Sequence, residues 1–123
     1  MKAMELRIGD YVNYRCDALD IHIPVYQVGN GADIQVHENH GYFSPIPLTE
    51  EWLLKFGFRV RDDNEYLDIR IRNMLYLAVH LRTLDVILGY NYEWTLPIKT
   101  IKYVHQLQNL YFALTGEELT IKS

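Results

Sequence analysis

Cysteine is all but missing from this chain: Cys16 stands alone among 123 residues, which excludes an internal disulfide framework and fits a reducing compartment. Serine is nearly as scarce. Ser44 is wedged between Phe43 and Pro45 and Ser123 is the last residue, so neither sits in the nucleophile elbow of a hydrolase. The glycines form no phosphate-cradling loop and no dinucleotide fingerprint. No apolar run approaches the roughly 20 residues that cross a membrane as a helix, and residues 1–5 lead into a patterned strand without the apolar core of a signal peptide. We therefore expect a cytoplasmic protein. Positive charge is not in excess either: 12 Lys and Arg stand against 16 Asp and Glu, a net charge of −4, which argues against a broad electrostatic grip on nucleic acid.

What is present is an ordinary globular composition, 49% hydrophobic and 23% charged. A chain of this length buries roughly two-thirds of its unfolded surface and is expected to form one domain over residues 1–123. Residues 1–48 read as short strands separated by turns. Gly9 and Asp10 lead into a strand at 11–14, a second strand spans 21–28 and a third 33–37. A short fourth runs through Tyr42 and Phe43 before Pro45 and Pro47 interrupt the ladder. Gly29-Asn30-Gly31 supplies the turn between the second and third, since all three residues tolerate positive φ. This pattern suits a small, strongly bent barrel, and the Gly-Asp-x-Val start followed by a hairpin resembles SH3-like barrels.

A bridging helix is expected at 49–57, capped by Thr49, with Glu50 and Glu51 at its positive end, Lys55 at its negative end and Gly57 as terminator. Residues 58–98 then alternate apolar and polar positions, as an antiparallel meander requires. Leu75, Leu77, Val79 and Leu81 keep the phase of Leu67, Ile69 and Ile71, and a loop of about three residues through Arg72-Asn73-Met74 sets Ile71 opposite Leu75. A helix over 74–88, capped by Asn73, also fits this stretch; strand is the reading we favour. Residues 100–116 form the last helix. Ile101, Val104, Leu107, Leu110, Tyr111 and Leu114 share its apolar face, with Thr100 as N-cap, Gly116 as terminator and Leu119 as the contact beyond it. Gln108 falls inside the apolar arc and is expected to be a buried amide bonded to strand backbone or another side chain.

Two long segments, Pro45-Ile46-Pro47-Leu48-Thr49-Glu50-Glu51-Trp52-Leu53-Leu54-Lys55-Phe56-Gly57-Phe58 and the run from Ile101 to Leu119, join the Leu6-Arg7-Ile8-Gly9 opening in a further resemblance. Together they resemble a family of short uncharacterised proteins encoded by Bacteroides-type gut bacteria and their prophages or other mobile elements. The resemblance implies a bacterial cytoplasmic origin and a role tied to a phage or mobile element. It supplies no catalytic residue.

Each group of chemically capable residues has a plainer reading beside it. His37-Glu38-Asn39-His40 has metal-ligand types but not the helical register that sets two imidazoles on one face, and reads as a polar loop. Cys16 with His22 has no sequence feature that brings thiol and imidazole together. Asp62, Asp63, Glu65 and Asp68 lack the spacing of a calcium loop. Tyr90, Tyr92 and Trp94 alternate on one strand face, able either to stack bases or sugars or to form an inward ladder under the last helix. Arg59 and Arg61 share one strand phase and Arg70 and Arg72 another, so a hairpin can gather all four.

These readings converge on an α+β protein: small N-terminal SH3-like barrel-type strands, a bridging helix, and an antiparallel meander packed by a C-terminal helix. Its expected function is a non-catalytic protein-interaction module, with no enzyme activity, cofactor or metal site, and a protein as partner. The alternative is a nucleic-acid-associated accessory protein. For binding, the candidate residues are Tyr90, Tyr92, Trp94, Arg59, Arg61, Arg70 and Arg72.

Overall fold

Short apolar stretches broken by turn residues open the chain, and the first, β1 (Tyr11–Cys16), becomes the centre of a three-stranded antiparallel sheet. The structure, a computed structural model, describes residues 6–61, 64–91 and 94–122, apart from the side chains of Val36, Glu38, Asn39, His40, Trp94 and Lys99. Within it the chain divides into two compact units, Met1–Pro47 with Tyr103–Thr120 and Leu48–Lys102 with Ile121–Ser123.

In the first unit, β1 pairs with β2 (Ile21–Gln27) on one side and β3 (Phe43–Ser44) on the other. Three strands, one of them two residues long, do not close on themselves, so the expected SH3-like barrel is not formed. The strand expected at 33–37 is instead part of a helix, α1 (Gly31–His40). Its cause is local. Asn30 accepts a hydrogen bond from the Asp33 N–H at 3.1 Å, Asp33 accepts one from the Gly29 N–H at 2.8 Å, and Gly41 ends the helix at φ 69°. What looked like a hairpin turn is a helix cap. Leu6, Val12, Val28 and Phe43 form the core, with Tyr14, Tyr26, Ile34 and Tyr42 against them. Aromatic rings dominate it: Tyr14, Tyr26 and Phe43 lie with centroids 5.3–5.6 Å apart, and His37 stacks on Phe43 at 5.4 Å.

The second unit begins with α2 (Glu50–Lys55), capped by the Thr49 hydroxyl and burying Trp52, Leu53 and Phe56. Five strands follow in sequential order as an antiparallel meander: β4 (Arg59–Val60), β5 (Tyr66–Arg72), β6 (Leu75–His80), β7 (Asp85–Tyr90) and β8 (Trp94–Thr100). The strand reading of 74–88 therefore holds and the helical one does not. Leu67, Leu77, Val79 and Val86 are buried on one face, as their alternation predicts. Close to the hairpin the register departs from expectation. Asn73, at φ 46°, makes the loop two residues long and opposes Arg72, not Ile71, to Leu75. A bulge between Arg70 and Arg72 absorbs the extra residue, so Ile69 still faces Leu77.

The last helix, α3 (Val104–Thr115), starts four residues later than its apolar stripe suggests. Thr100 does not cap it. Thr100 closes β8, where its hydroxyl and that of Thr83 donate to Asp85 at 2.5 and 2.9 Å and hold that carboxyl below the usual carboxylate range. The helix begins instead at Tyr103, whose N–H donates to Gln106 Oε1 at 3.2 Å, and ends at Gly116, φ 74°. It belongs to the first unit, not to the meander it was expected to pack. Val104, His105, Leu107 and Gln108 are its buried residues. Gln108 is the buried amide its position predicted: Oε1 accepts from the Tyr11 N–H at 2.8 Å, and Nε2 donates to the Gly9 and Leu119 carbonyls at 2.9 and 3.1 Å.

Two variants test this closure. Gln108→Ala strands the Tyr11 N–H and the Leu119 carbonyl in the interior, while the Gly9 carbonyl keeps the Gln27 Nε2 donor at 3.3 Å, and is expected to cost about 1–3 kcal/mol in a denaturant titration. Leu107→Asp puts an unpaired carboxylate in a fully buried position and is expected to abolish cooperative thermal unfolding; a melting temperature near wild type would show that this face is not core.

Candidate functional site

The arginines proposed from sequence lie on the meander, and the register decides which of them meet. Arg59 on β4 stands opposite Asp68 on β5, and Arg70 follows Asp68 on the same strand face. Residues paired across an antiparallel ladder share a face, so Arg59, Asp68 and Arg70 come together, with Tyr76 opposite Arg70. Arg61, just beyond β4, reaches the same carboxylate: its Nε is 3.6 Å from Asp68 Oδ2, and its guanidinium lies over the Tyr66 and Tyr76 rings at 5.7 and 5.6 Å. Arg72 does not join them. The bulge pairs it with Leu75, which belongs to the opposite phase, so the four arginines are not gathered on one face. Asp62 and Asp63 lie outside the described residues.

Arg59, Asp68, Arg70, Met74 and Tyr76 line a pocket of about 10 Å³, roughly the volume that admits one water. That is a dent in a sheet face and not a small-molecule cavity. Its floor is tightly built, because a Cβ added at Gly89 would overlap the Tyr76 ring.

The aromatic row is less coherent than its alternation suggests. Tyr90 pairs with Leu75 and with Trp94, placing it on the face of Leu77 and Leu88, yet it is exposed at the sheet's end, as is Leu96. The side chain of Trp94 and all of Tyr92 lie outside the described residues.

A second surface, in the first unit, went unnoticed as a site although its strand was anticipated. Leu19, Ile21, Ile23 and Val25 recur at alternate positions in and before β2 and keep 37 to 68% of their surface exposed. Among the described residues no strand pairs with the outer edge of β2. The signal was the apolar alternation itself; only the absence of anything to cover it was illegible.

Other groups are accounted for by the fold. Cys16 faces Ile21 and Arg15 faces His22, which puts Cys16 and His22 on opposite sides of the sheet and rules out a thiol–imidazole dyad. The Cys16 thiol instead bonds the Tyr42 hydroxyl and raises its pKa. His37 turns inward, its Nδ1 accepting from the Phe43 N–H at 3.2 Å. Among the described residues no three His, Cys, Asp or Glu side chains are placed to hold a metal ion.

One buried charge stands out in the first unit. Asp10 is completely buried, its Oδ2 accepting from the Arg7 N–H at 2.8 Å, with the Arg7 guanidinium 3.9 Å from Oδ1. Arg7 is shared: it also donates to Asn109 at 3.0 Å, pairs with Glu118 and covers the Phe112 ring at 4.0 Å. Desolvation prevails over the Arg7 N–H and charge, and the Asp10 carboxyl is pushed up to about 6.

No protein-family model matches the chain, and neither a curated protein nor a solved structure matches it.

The raised Asp10 pKa carries a pH dependence of definite sign. A carboxyl that titrates higher folded than unfolded contributes stability below its unfolded value near 3.8 and loses it as pH rises through about 6. Between pH 7 and pH 4.5 the wild type should therefore gain about 1–3 kcal/mol relative to Asp10→Asn, measured by urea unfolding at both pH values. Parallel pH profiles for the two proteins would show that Asp10 titrates normally.

Proposed function

We propose that this protein is a non-catalytic protein-interaction module of the bacterial cytoplasm, linked to a phage or mobile element, and that β2 is its docking strand. The observation that carries the reading is the pair Ile21 and Ile23, apolar side chains left in water on one face of a strand whose outer edge no described strand pairs, with Leu19 exposed in the turn just before them; the bulge carries Val25 into the opposite phase. Exposing them costs free energy that a partner's apolar surface recovers, at roughly 25 cal/mol per Å² removed from water. The phage and cytoplasmic parts of the reading rest on the three sequence segments that resemble proteins of Bacteroides-type bacteria and their mobile elements.

Recognition at β2 runs through side chains more than through backbone pairing. The Arg15 N–H donates to the Tyr42 carbonyl on the β3 side, so its β2 partner, His22, turns its own backbone groups to the free edge. Pro24, two residues on, has no N–H to offer there, and a bulge between Val12 and Tyr14 bends the ladder at the same place. An added strand would find few bonds. A shaped apolar surface would find Ile21 and Ile23 side by side, with Leu19 just before them.

Nucleic-acid association ranks second because the rings beside the arginines are already used. Tyr76 is buried and Tyr66 half-buried, and both lie under Arg61, so neither offers a face to a base.

The reading is tested with paired baits, wild type and Ile21→Ser/Ile23→Ser, matched for folding by circular dichroism and exposed to lysate of a Bacteroides host. The expected result is a protein retained by the wild type, lost from the variant, and bound again directly when purified. Identical retention by both baits would remove β2 from the function.

A further inference from the structure

We propose that Arg59 and Arg70 form a two-armed receptor for the carboxylates of an acidic, Asp- or Glu-rich segment of a partner protein. The inference rests on the reading of the chain as a protein-binding module and names the chemistry of one partner; it makes no use of β2. Three guanidinium groups, of Arg59, Arg61 and Arg70, surround a single carboxylate, that of Asp68. That carboxylate is nearly buried and held by Arg61, whose own face rests on two tyrosine rings. Arg59 and Arg70 remain exposed, with no ion pair or hydrogen bond among the described residues. Among the described residues on this face, three positive charges stand against one negative.

Their spacing is set by the ladder. Arg59 is opposite Asp68 and Arg70 is two residues beyond it, so the two arginines are diagonal neighbours, about 7–8 Å apart at the backbone. Like charges at that separation repel, and an anion between them relieves both at once. Guanidinium forks match a carboxylate with two parallel hydrogen bonds, a geometry that ammonium groups do not provide. Met74, exposed at the pocket's rim, offers an apolar contact for the methylene stem of a glutamate.

Three features favour an acidic polypeptide over a nucleic acid. The pocket admits little more than one water's volume, enough for carboxylate oxygens at its mouth but not for a base. The neighbouring rings are covered by Arg61 and cannot stack. Arg72, which would have extended the row toward a run of phosphates, is carried out of phase by the bulge.

Fluorescence anisotropy on the full chain tests this with three labelled probes: octaglutamate, octalysine and an oligothymidine strand. Saturable binding of octaglutamate is expected, weakening from low to physiological salt and falling about tenfold in Arg59→Gln and further in Arg59→Gln/Arg70→Gln. Arg72→Gln and Ile21→Ser/Ile23→Ser should bind octaglutamate as the wild type does, which separates this site from β2. Amide shifts on titration should fall on β4 and β5. Absence of saturable octaglutamate binding, or binding indifferent to Arg59 and Arg70, overturns the proposal while leaving the β2 reading intact. Oligothymidine binding that depends on the same two arginines overturns it in favour of the nucleic-acid reading.

Discussion

One amide side chain completes the first unit. Gln108 is bonded at both ends, to the backbone of residues 9 and 11 and to that of Leu119, and so ties the start of β1 and the chain beyond α3 to a single point on the helix. Hydrophobic packing alone is permissive about rotation and register, because one aliphatic contact replaces another at little cost. Three directional bonds in a dry interior are not permissive, since any other docking leaves polar groups unpaired. Leu107, the adjacent fully buried residue, supplies affinity and Gln108 the register. The ion cluster of Arg7, Asp10 and Glu118 lies around the same residues 7–10 and depends on the docking that Gln108 fixes.

The meander solves a different problem. Its alternation sends Leu67, Leu77, Val79 and Val86 to one face and Arg59, Asp68, Arg70 and Tyr76 to the other. The polar face still has structure of its own. Tyr76 spreads over Gly89, Arg61 covers Tyr76, and Asp68 holds Arg61, a stack from glycine to carboxylate. Each layer rests on the one below it, and Asp68, the carboxylate on the face of Arg59 and Arg70, is engaged by Arg61.

How much of this was legible in the sequence depended on whether short-range periodicity alone decides the structure. The meander was legible, down to Ile69 facing Leu77, because period-two alternation over long strands leaves one register in which both faces are satisfied. The caps at Thr49 and Gly116 and the burial of Gln108 and Leu119 were legible for similar local reasons. α1 was not: among its described side chains Ile34 and His37 mark the inward side, one of them a histidine, while Ile34 and Val36 mimic strand alternation in the sequence. Nor was the assignment of α3 to the N-terminal strands, since an apolar stripe says that a helix is covered and not by what. The candidate arginines fared likewise. Their phase was readable, but the bulge that removes Arg72 follows from a two-residue loop set by the left-handed backbone of Asn73.

Since the first unit is assembled from Met1–Pro47 and Tyr103–Thr120, with the whole of Leu48–Lys102 inserted between them in sequence, the order in which parts are completed departs from the order of synthesis. On the ribosome, at about 5–20 residues per second, the meander is complete before the helix that closes the first unit has emerged. For those seconds β1 and β2 wait without the Gln108 acceptor for the Tyr11 N–H and with Ile21 and Ile23 already in water. The N-terminal strands are thus made before the meander and finished after it, and in that interval they are the stretch most exposed to chaperones and to wrong partners.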